Sequence, residues 1–105
     1  MTMTGHWRLD DAARAAATDR RYATIDSPVG SELGLYAPRG SDPQAPHDRD
    51  EYYVVARGDG QFVRDGEVMT FGVGDALFVP AGMAHRFQSF SDDLLLWVVF
   101  VGDRS

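Results

Sequence analysis

The alternation of short strand-forming runs with turn-forming residues most constrains the fold of this 105-residue chain. Runs of β-branched, aromatic and aliphatic residues are separated by glycine, proline and aspartate, a pattern typical of successive β-strands. Asp65 and Gly66 predict a two-residue hairpin turn, because both positions of such a turn need positive φ. The predicted strands span residues 23–26, 33–37, 51–57, 61–64, 67–71, 76–79, 85–89 and 94–101. Short strands with almost no helix favour an all-β fold of the double-stranded β-helix, or jelly-roll, type.

The start of the chain differs from the rest and predicts an N-terminal arm. Asp10 can cap a short helix over residues 11–18, because its carboxylate can accept the free amides of the first turn. The alanine-rich stretch 12–17 has little bulk to bury, so we expect this helix on the outside of the barrel. A chain of this length has room for one domain. We therefore predict an arm with a short helix over residues 1–22 and a β-barrel domain over residues 23–105.

Composition excludes several functions. The chain contains no lysine and no cysteine, so a lysine Schiff base, thiolate metal ligands and a cysteine nucleophile are excluded. The formal net charge is −6 and the arginines are scattered, which argues against nucleic acid or a membrane surface as a partner. The longest apolar run, residues 94–101, is too short to span a membrane, and the start of the chain shows no secretory signal. We therefore expect a cytoplasmic location.

Two of the three histidines lie in stretches suited to metal binding. His47 and Glu51 are four residues apart, so on a strand they point to the same side as Tyr53. Imidazole and carboxylate groups are common ligands of divalent metals. His47 alone could be an ordinary loop histidine, and Glu51 could lie on the solvent face of an edge strand. Residues 52–55 after Glu51, however, read as buried on both faces, where an unpaired carboxylate is costly.

The stretch from Gly74 to His85 resembles the second signature motif of the cupin superfamily. That motif has glycine, five residues, proline, one residue, glycine, two residues, histidine, three residues and asparagine. Gly74, Pro80, Gly82 and His85 match it, and Ser89 stands at the place of the asparagine.

The stretch that begins at His47 resembles the first cupin motif. His47, Glu51 and Gly58 match it, whereas Ala45 stands where the motif has its first histidine. The charged residues 48–50 are expected to form a solvated cluster. With both motifs in order, the resemblance covers about residues 33–101 and implies a small single-domain cupin. Small cupins commonly dimerise, so the resemblance also implies a homodimer.

His47, Glu51 and His85 form a two-histidine, one-carboxylate set for one divalent metal ion per chain. Such a set leaves about three positions open on a six-coordinate ion. This openness suits iron, manganese, cobalt or nickel, and copper or zinc would also accept these ligands. Gln44, three residues before His47, could supply a fourth and weaker ligand, since the proline-bounded loop over residues 38–46 need not keep strict alternation.

Three further residues are candidates for the pocket. Tyr53 and Tyr36 could donate or relay a proton, and Arg39 at the mouth could bind a substrate carboxylate in a two-point contact. Two function classes fit this site. In the first, the protein is a metal-dependent isomerase, lyase or dioxygenase that acts on a small carbonyl- or carboxylate-bearing substrate. In the second, it is a non-catalytic module that binds a metal or a small ligand. A structural variant that lost its metal together with the first motif histidine is the third alternative.

Overall fold

The computed structural model describes residues 5–102 and contains one helix and eight strands. All the predicted strands are present, and their ends lie within two residues of the predicted ends. The helix is α1 (Leu9–Ala15), and the strands are β1 (Tyr22–Asp26), β2 (Ser31–Tyr36), β3 (Asp50–Arg57), β4 (Gly60–Arg64), β5 (Glu67–Phe71), β6 (Ala76–Val79), β7 (His85–Gln88) and β8 (Leu95–Val101).

The strands form two antiparallel sheets that pack face to face. The first sheet has the order β1-β2-β8-β3-β6, and the second has the order β5-β4-β7. The prediction of an all-β jelly-roll fold is confirmed, and the two sheets of the described residues do not close into a continuous barrel. Among residues 5–102, β1, β6, β5 and β7 remain sheet edges, and the sheets meet through side chains instead of backbone pairing. The division into an arm and a barrel domain stays a prediction.

Strand β3 shows how the fold carries a polar residue into the core. Glu51, Tyr53 and Val55 are buried, whereas the alternate residues Tyr52 and Val54 are exposed on the outer face. This period of two is the ordinary alternation of a strand with one covered face. The predicted inward direction of Glu51 is therefore confirmed, and its carboxylate lies within the core between the two sheets.

Helix α1 packs against the outer face of the first sheet. The predicted start at residue 11 with Asp10 as the cap is wrong, because the helix begins at Leu9 with Arg8 at the N-cap and no side-chain cap. Asp10 instead lies in the first turn, where its charge is favourable near the positive end of the helix dipole. Ala12 and Ala16 are buried there against Leu35, Ala37 and Leu95. Within the described residues, no helix has the length and apolar character needed to cross a membrane.

Left-handed backbone conformations mark two of the chain reversals. Asp65 and Gly66 have φ of 49° and 82°, which confirms the predicted hairpin turn between β4 and β5. Ser89 has φ of 49° directly after β7, so it ends that strand one residue before the predicted end. Asparagine adopts this conformation more readily than most residues, which gives the asparagine of the second cupin motif a conformational reason.

The predicted solvation of residues 48–50 is wrong for Arg49, whose side chain is only 8% exposed. Its Nη2 donates to Glu32 Oε1 at 3.1 Å, and its guanidinium carbon lies 4.5 Å from the centroid of the Phe100 ring. The Tyr22 hydroxyl donates to Glu32 Oε2 at 2.6 Å. Burial raises the pKa of Glu32, but the hydrogen bonds from Tyr22 and Arg49 outweigh burial and lower it. This ion pair ties the segment before β3 to β2.

Substitution of Gly58 should separate backbone strain from crowding. Gly58 and Gly74 both have φ of 92°, but a Cβ at Gly58 would lie 2.8 Å from Leu94 Cα, whereas a Cβ at Gly74 would meet nothing within 4 Å. Alanine at either site adds about 1–2 kcal/mol of left-handed strain. Gly58→Ala should lose about 1–3 kcal/mol more than Gly74→Ala because of overpacking. Urea unfolding measures both losses, and equal losses would show that the crowding relaxes freely.

The pairing of Glu32 with Arg49 should make the stability of the protein depend on pH. Glu32→Gln leaves a buried guanidinium without its charged partner and should cost about 2 kcal/mol of unfolding free energy at pH 7. Because the folded-state pKa of Glu32 is lowered, its contribution is present above the unfolded-state pKa and is lost as the pH falls through the folded-state value. The difference from wild type should therefore shrink in acid. Glu67→Gln, which removes an exposed carboxylate, is the control, and a pH-independent difference would contradict the assignment.

Candidate metal centre

Three metal-ligating side chains converge between the two sheets. His47 lies in the loop before β3, Glu51 lies on β3, and His85 begins β7. One potential ligand atom from each lies within 4.8 Å of the others. Glu51 Oε1 is 3.3 Å from His85 Nε2 and 3.7 Å from His47 Nε2. The two sheets thus bring together the residues that the two sequence motifs single out.

The polar atoms at the centre of this group have no hydrogen-bond partner. Glu51 Oε1 and His85 Nε2 are buried and face each other, but neither makes a hydrogen bond within the described part of the chain. Leaving such groups without a hydrogen bond away from water is costly, so we expect a further group to bind between them. Ligand atoms about 2.1 Å from one metal ion lie about 3.0–3.4 Å from each other in octahedral or tetrahedral geometry. The 3.3 Å spacing of Glu51 and His85 lies in this range, and the 3.7 Å spacing of Glu51 and His47 is slightly wider. The nitrogen–oxygen donor set suits a divalent transition-metal ion.

The protonation of the two imidazoles is set by their surroundings. His85 Nδ1 lies 2.9 Å from the Met83 carbonyl oxygen, so Nδ1 donates there and Nε2 faces Glu51. Burial lowers the pKa of His85, but the neighbouring Glu51 carboxylate and the hydrogen bond to the Met83 carbonyl outweigh burial and raise it. Burial lowers the pKa of His47 despite the opposing charge of Glu51. A divalent ion would favour the neutral form of both rings, because only neutral imidazole binds metals.

Gln44 directs its amide oxygen toward the cluster of His47, Glu51 and His85. Gln44 Oε1 lies 3.2 Å from His47 Nε2 and accepts a hydrogen bond from the Tyr53 hydroxyl at 3.0 Å. The amide nitrogen donates to Asp42 Oδ2 at 2.6 Å, which fixes the orientation of the amide. Ala45, at the place of the missing motif histidine, is exposed. Gln44 is thus the loop residue before His47 whose side chain reaches the cluster.

Sequence reasoning missed Asp42, which holds this arrangement together. Its buried carboxylate accepts hydrogen bonds from the Tyr36 hydroxyl at 2.5 Å and from the Phe87 amide at 2.8 Å, besides the amide of Gln44. These contacts join the loop to β2 and to β7, the strand that carries His85. No feature of the sequence around Asp42 distinguishes it from an ordinary loop aspartate.

The two candidate tyrosines keep their protons. Burial, followed by the charge of Glu51, raises the pKa of Tyr53 well above its usual value. Burial and the hydrogen bond to Asp42 likewise raise the pKa of Tyr36. Both hydroxyls are therefore hydrogen-bond donors at neutral pH. Arg39 is exposed, and no described side chain pairs with its guanidinium.

An open cavity of about 880 Å³ leads to the cluster. All the predicted site residues except His85 line it, and His85 lies beside Glu51 with a side chain that is 0% exposed. Three arginines that sequence reasoning did not assign to the site also line it, namely Arg20, Arg21 and Arg49. The site is thus a histidine–carboxylate cluster at one side of a cavity whose lining contains four arginines and four acidic residues.

Comparison with known proteins agrees with this architecture. An uncharacterized protein of Streptomyces coelicolor is 37% identical over 97 residues, which span 90% of this chain and 92% of the relative. A protein from Neisseria meningitidis has a similar structure, with a TM-score of 0.75 and 21% identity over 93% of this chain and 100% of that one.

A lyase shares the fold as well. The dimethylsulfoniopropionate (DMSP) lyase DddQ from Ruegeria pomeroyi has a TM-score of 0.62 and 22% identity over 70% of this chain and 39% of its own. Identities this low show a common fold only. The family model of the cupin domain matches residues 33–101, the part of the chain that carries both motifs and all three candidate ligands. The chain belongs to the cupin family.

Proposed function

We propose that this cupin is a metal-dependent enzyme of the isomerase, lyase or dioxygenase type that acts on a small carbonyl- or carboxylate-bearing substrate. One observation carries the proposal: Glu51 Oε1 and His85 Nε2 are buried without hydrogen bonds beside an open cavity. A purely structural core would pair or replace such atoms. The likeness to a named lyase supports the proposal at the level of the fold.

His47, Glu51 and His85 would hold one divalent ion, which could be iron, manganese, nickel, cobalt, copper or zinc. Gln44 would be the fourth ligand, because Asp42 already turns its amide oxygen toward His47. When bound, the ion would act as a Lewis acid that polarises a substrate carbonyl or carboxylate oxygen. The amide oxygen would replace the imidazole that the first cupin motif supplies.

The remaining candidates have separate roles in this proposal. Tyr53 keeps its proton and lies beside Gln44, so it would donate a hydrogen bond or a proton to a substrate oxygen. Tyr36 would act through Asp42, to which its hydroxyl is already bonded. Arg39 lines the cavity and would bind a substrate carboxylate.

A specific observation favours the alternative, a non-catalytic module that binds a metal or a small ligand. Tyr53 and Tyr36 are both engaged in hydrogen bonds, and each has a raised pKa that makes it a poor proton donor. In this alternative the same cavity binds a ligand without turnover. A metal-loaded protein that binds small hydroxy and keto acids but converts none of them would favour the module.

Elemental analysis of tag-free protein tests the metal centre. Wild type should contain close to one transition-metal ion per chain, and His85→Ala should lose it because Glu51 and His47 alone form an incomplete site. His6→Ala is the matched control, since His6 is the exposed histidine outside both motifs, and it should keep the metal. A wild-type protein that contains no metal, even after reconstitution, would contradict the enzyme proposal.

Gln44→Leu refines the same experiment. It removes the amide oxygen while it keeps a side chain of similar size, so the protein should keep its metal with about tenfold to hundredfold lower affinity. Competition with a chromophoric chelator measures this loss. Unchanged affinity would show that Gln44 contributes nothing to the site.

We also propose a homodimer that covers the outer face of the first sheet. Tyr52 and Phe78 are direct cross-strand neighbours on β3 and on the edge strand β6, with ring centroids 4.8 Å apart. Together with Val54 they are exposed large apolar side chains on one face, as expected of an interface. Phe78→Glu should give a monomer in sedimentation-velocity experiments. Val68→Glu, on the second sheet, is the control and should remain dimeric. A monomeric wild type would contradict the proposal.

A further inference from the structure

Arg21 adopts a backbone conformation that non-glycine residues rarely adopt. Its φ is 58°, in the left-handed region, where a side chain is crowded by its own carbonyl. Several hydrogen bonds hold it there. The Arg21 amide donates to Thr18 O at 3.0 Å, and the Arg21 carbonyl accepts from the Ala37 amide at 2.8 Å. A left-handed arginine at a cavity is the kind of strained residue that often has a function.

The side chain of Arg21 is held in a defined direction. Its Nε donates to the Ala37 carbonyl oxygen at 2.8 Å, so one of its nitrogens is used for positioning. Nη1 and Nη2 make no hydrogen bond or ion pair with any other residue of the range 5–102. The half-buried side chain lines the same cavity as His47 and Glu51. Nη1 and Nη2 of Arg21 are therefore two oriented hydrogen-bond donors without an acceptor in the described part of the chain.

The acidic residues of the cavity do not neutralise this guanidinium. Glu32 is bonded to Arg49, Glu51 faces the two histidines, and Asp48 lies 4.0 Å from Arg49. Asp19, the fourth acidic residue of the lining, forms no ion pair with Arg21 within the described residues. Arg20 and Arg39 also line the cavity, and neither makes an ion pair within the described residues. The lining as a whole contains four arginines and four acidic residues, so the cavity has no excess of positive charge. The feature that favours an anion is that the guanidinium groups of Arg20, Arg21 and Arg39 have no ion-pair partner within the described residues.

We propose that Arg21 binds an anionic group of the substrate, with Arg20 and Arg39 adding charge at the rim. The outer nitrogens of a tethered guanidinium match two oxygens of a carboxylate or a phosphate. The substrate class is therefore a small acid that places its anionic group on Arg21 and presents another oxygen to the metal centre. This assignment of substrate class rests on the proposed function, but the anion contact itself does not require the metal.

Calorimetric titration with malonate and with inorganic phosphate tests the inference on both metal-loaded and metal-free protein. Arg21→Gln keeps an amide that can bond to the Ala37 carbonyl oxygen but removes the charged donor pair, so binding should weaken about tenfold or more. Arg57→Gln is the matched control, because it removes the same charge about 20 Å along β3 from Glu51 and should bind like wild type. The probe that binds more tightly identifies a carboxylate or a phosphate.

Arg21→Gly guards against a trivial loss of folding. Glycine adopts positive φ without strain, which offsets the lost bond to Ala37, so the melting temperature should stay close to that of wild type. Anion binding should nevertheless be lost as in Arg21→Gln. If Arg21→Gly binds malonate and phosphate like wild type, or if wild type binds neither, the inference is wrong. Equal weakening in Arg57→Gln would also overturn it, because general electrostatic attraction would then explain the binding.

The two proposals fail in distinguishable ways. If wild type retains no metal but binds an anion in a manner that depends on Arg21, the inference stands and the metal proposal fails. If the metal is retained and lost in His85→Ala, but Arg21→Gln binds both anions like wild type, only the inference fails.

Discussion

A carboxylate buried between two β-sheets is the group around which the site is organised. Glu51 is 2% exposed, and its Oε1 faces the imidazoles of His85 and His47 at 3.3 and 3.7 Å. An ionised carboxylate in an apolar core is costly unless a cation or several hydrogen bonds compensate it. The core between the sheets is rich in aromatic side chains, but it leaves this oxygen without a hydrogen bond. The stability of the fold around Glu51 therefore depends on a cation, or on the histidines, to neutralise this carboxylate.

A second buried carboxylate explains how an amide comes to face the cluster. Asp42 accepts hydrogen bonds from Tyr36, Gln44 and the amide of Phe87, so it links β2, the loop and β7. Because the amide nitrogen of Gln44 is bonded to Asp42, the oxygen has to point toward His47. The chain departs from the first cupin motif at Ala45. One residue earlier, hydrogen bonds orient Gln44 so that its amide oxygen faces the cluster. Asp42 supports the site through Gln44 and through the strand of His85.

Two positions show that motif residues and site residues are selected by different physical demands. Ser89 stands at the asparagine position of the second motif and has φ of 49°, so the turn places a conformational demand on that position. Arg21 has a similar left-handed φ of 58°, although glycine or asparagine would be less strained there. A tethered guanidinium beside the cavity is a reason for arginine at this place. Backbone strain at a residue that lines a cavity is expected where some folding stability is given up for ligand binding.

The sequence by itself determined the strands, the turn at Asp65 and the set of His47, Glu51 and His85. These features follow from strand alternation, turn chemistry and motif spacing, which depend on residues near one another in the chain. Only the tertiary structure decided the burial of Arg49, the orientation of Gln44 by Asp42 and which strands form the edges of the sheets. Arg49 pairs with a carboxylate 17 residues away, and Asp42 bonds to an amide 45 residues away. Contacts at such separations depend on how the sheets pack, and no local pattern in the chain encodes them.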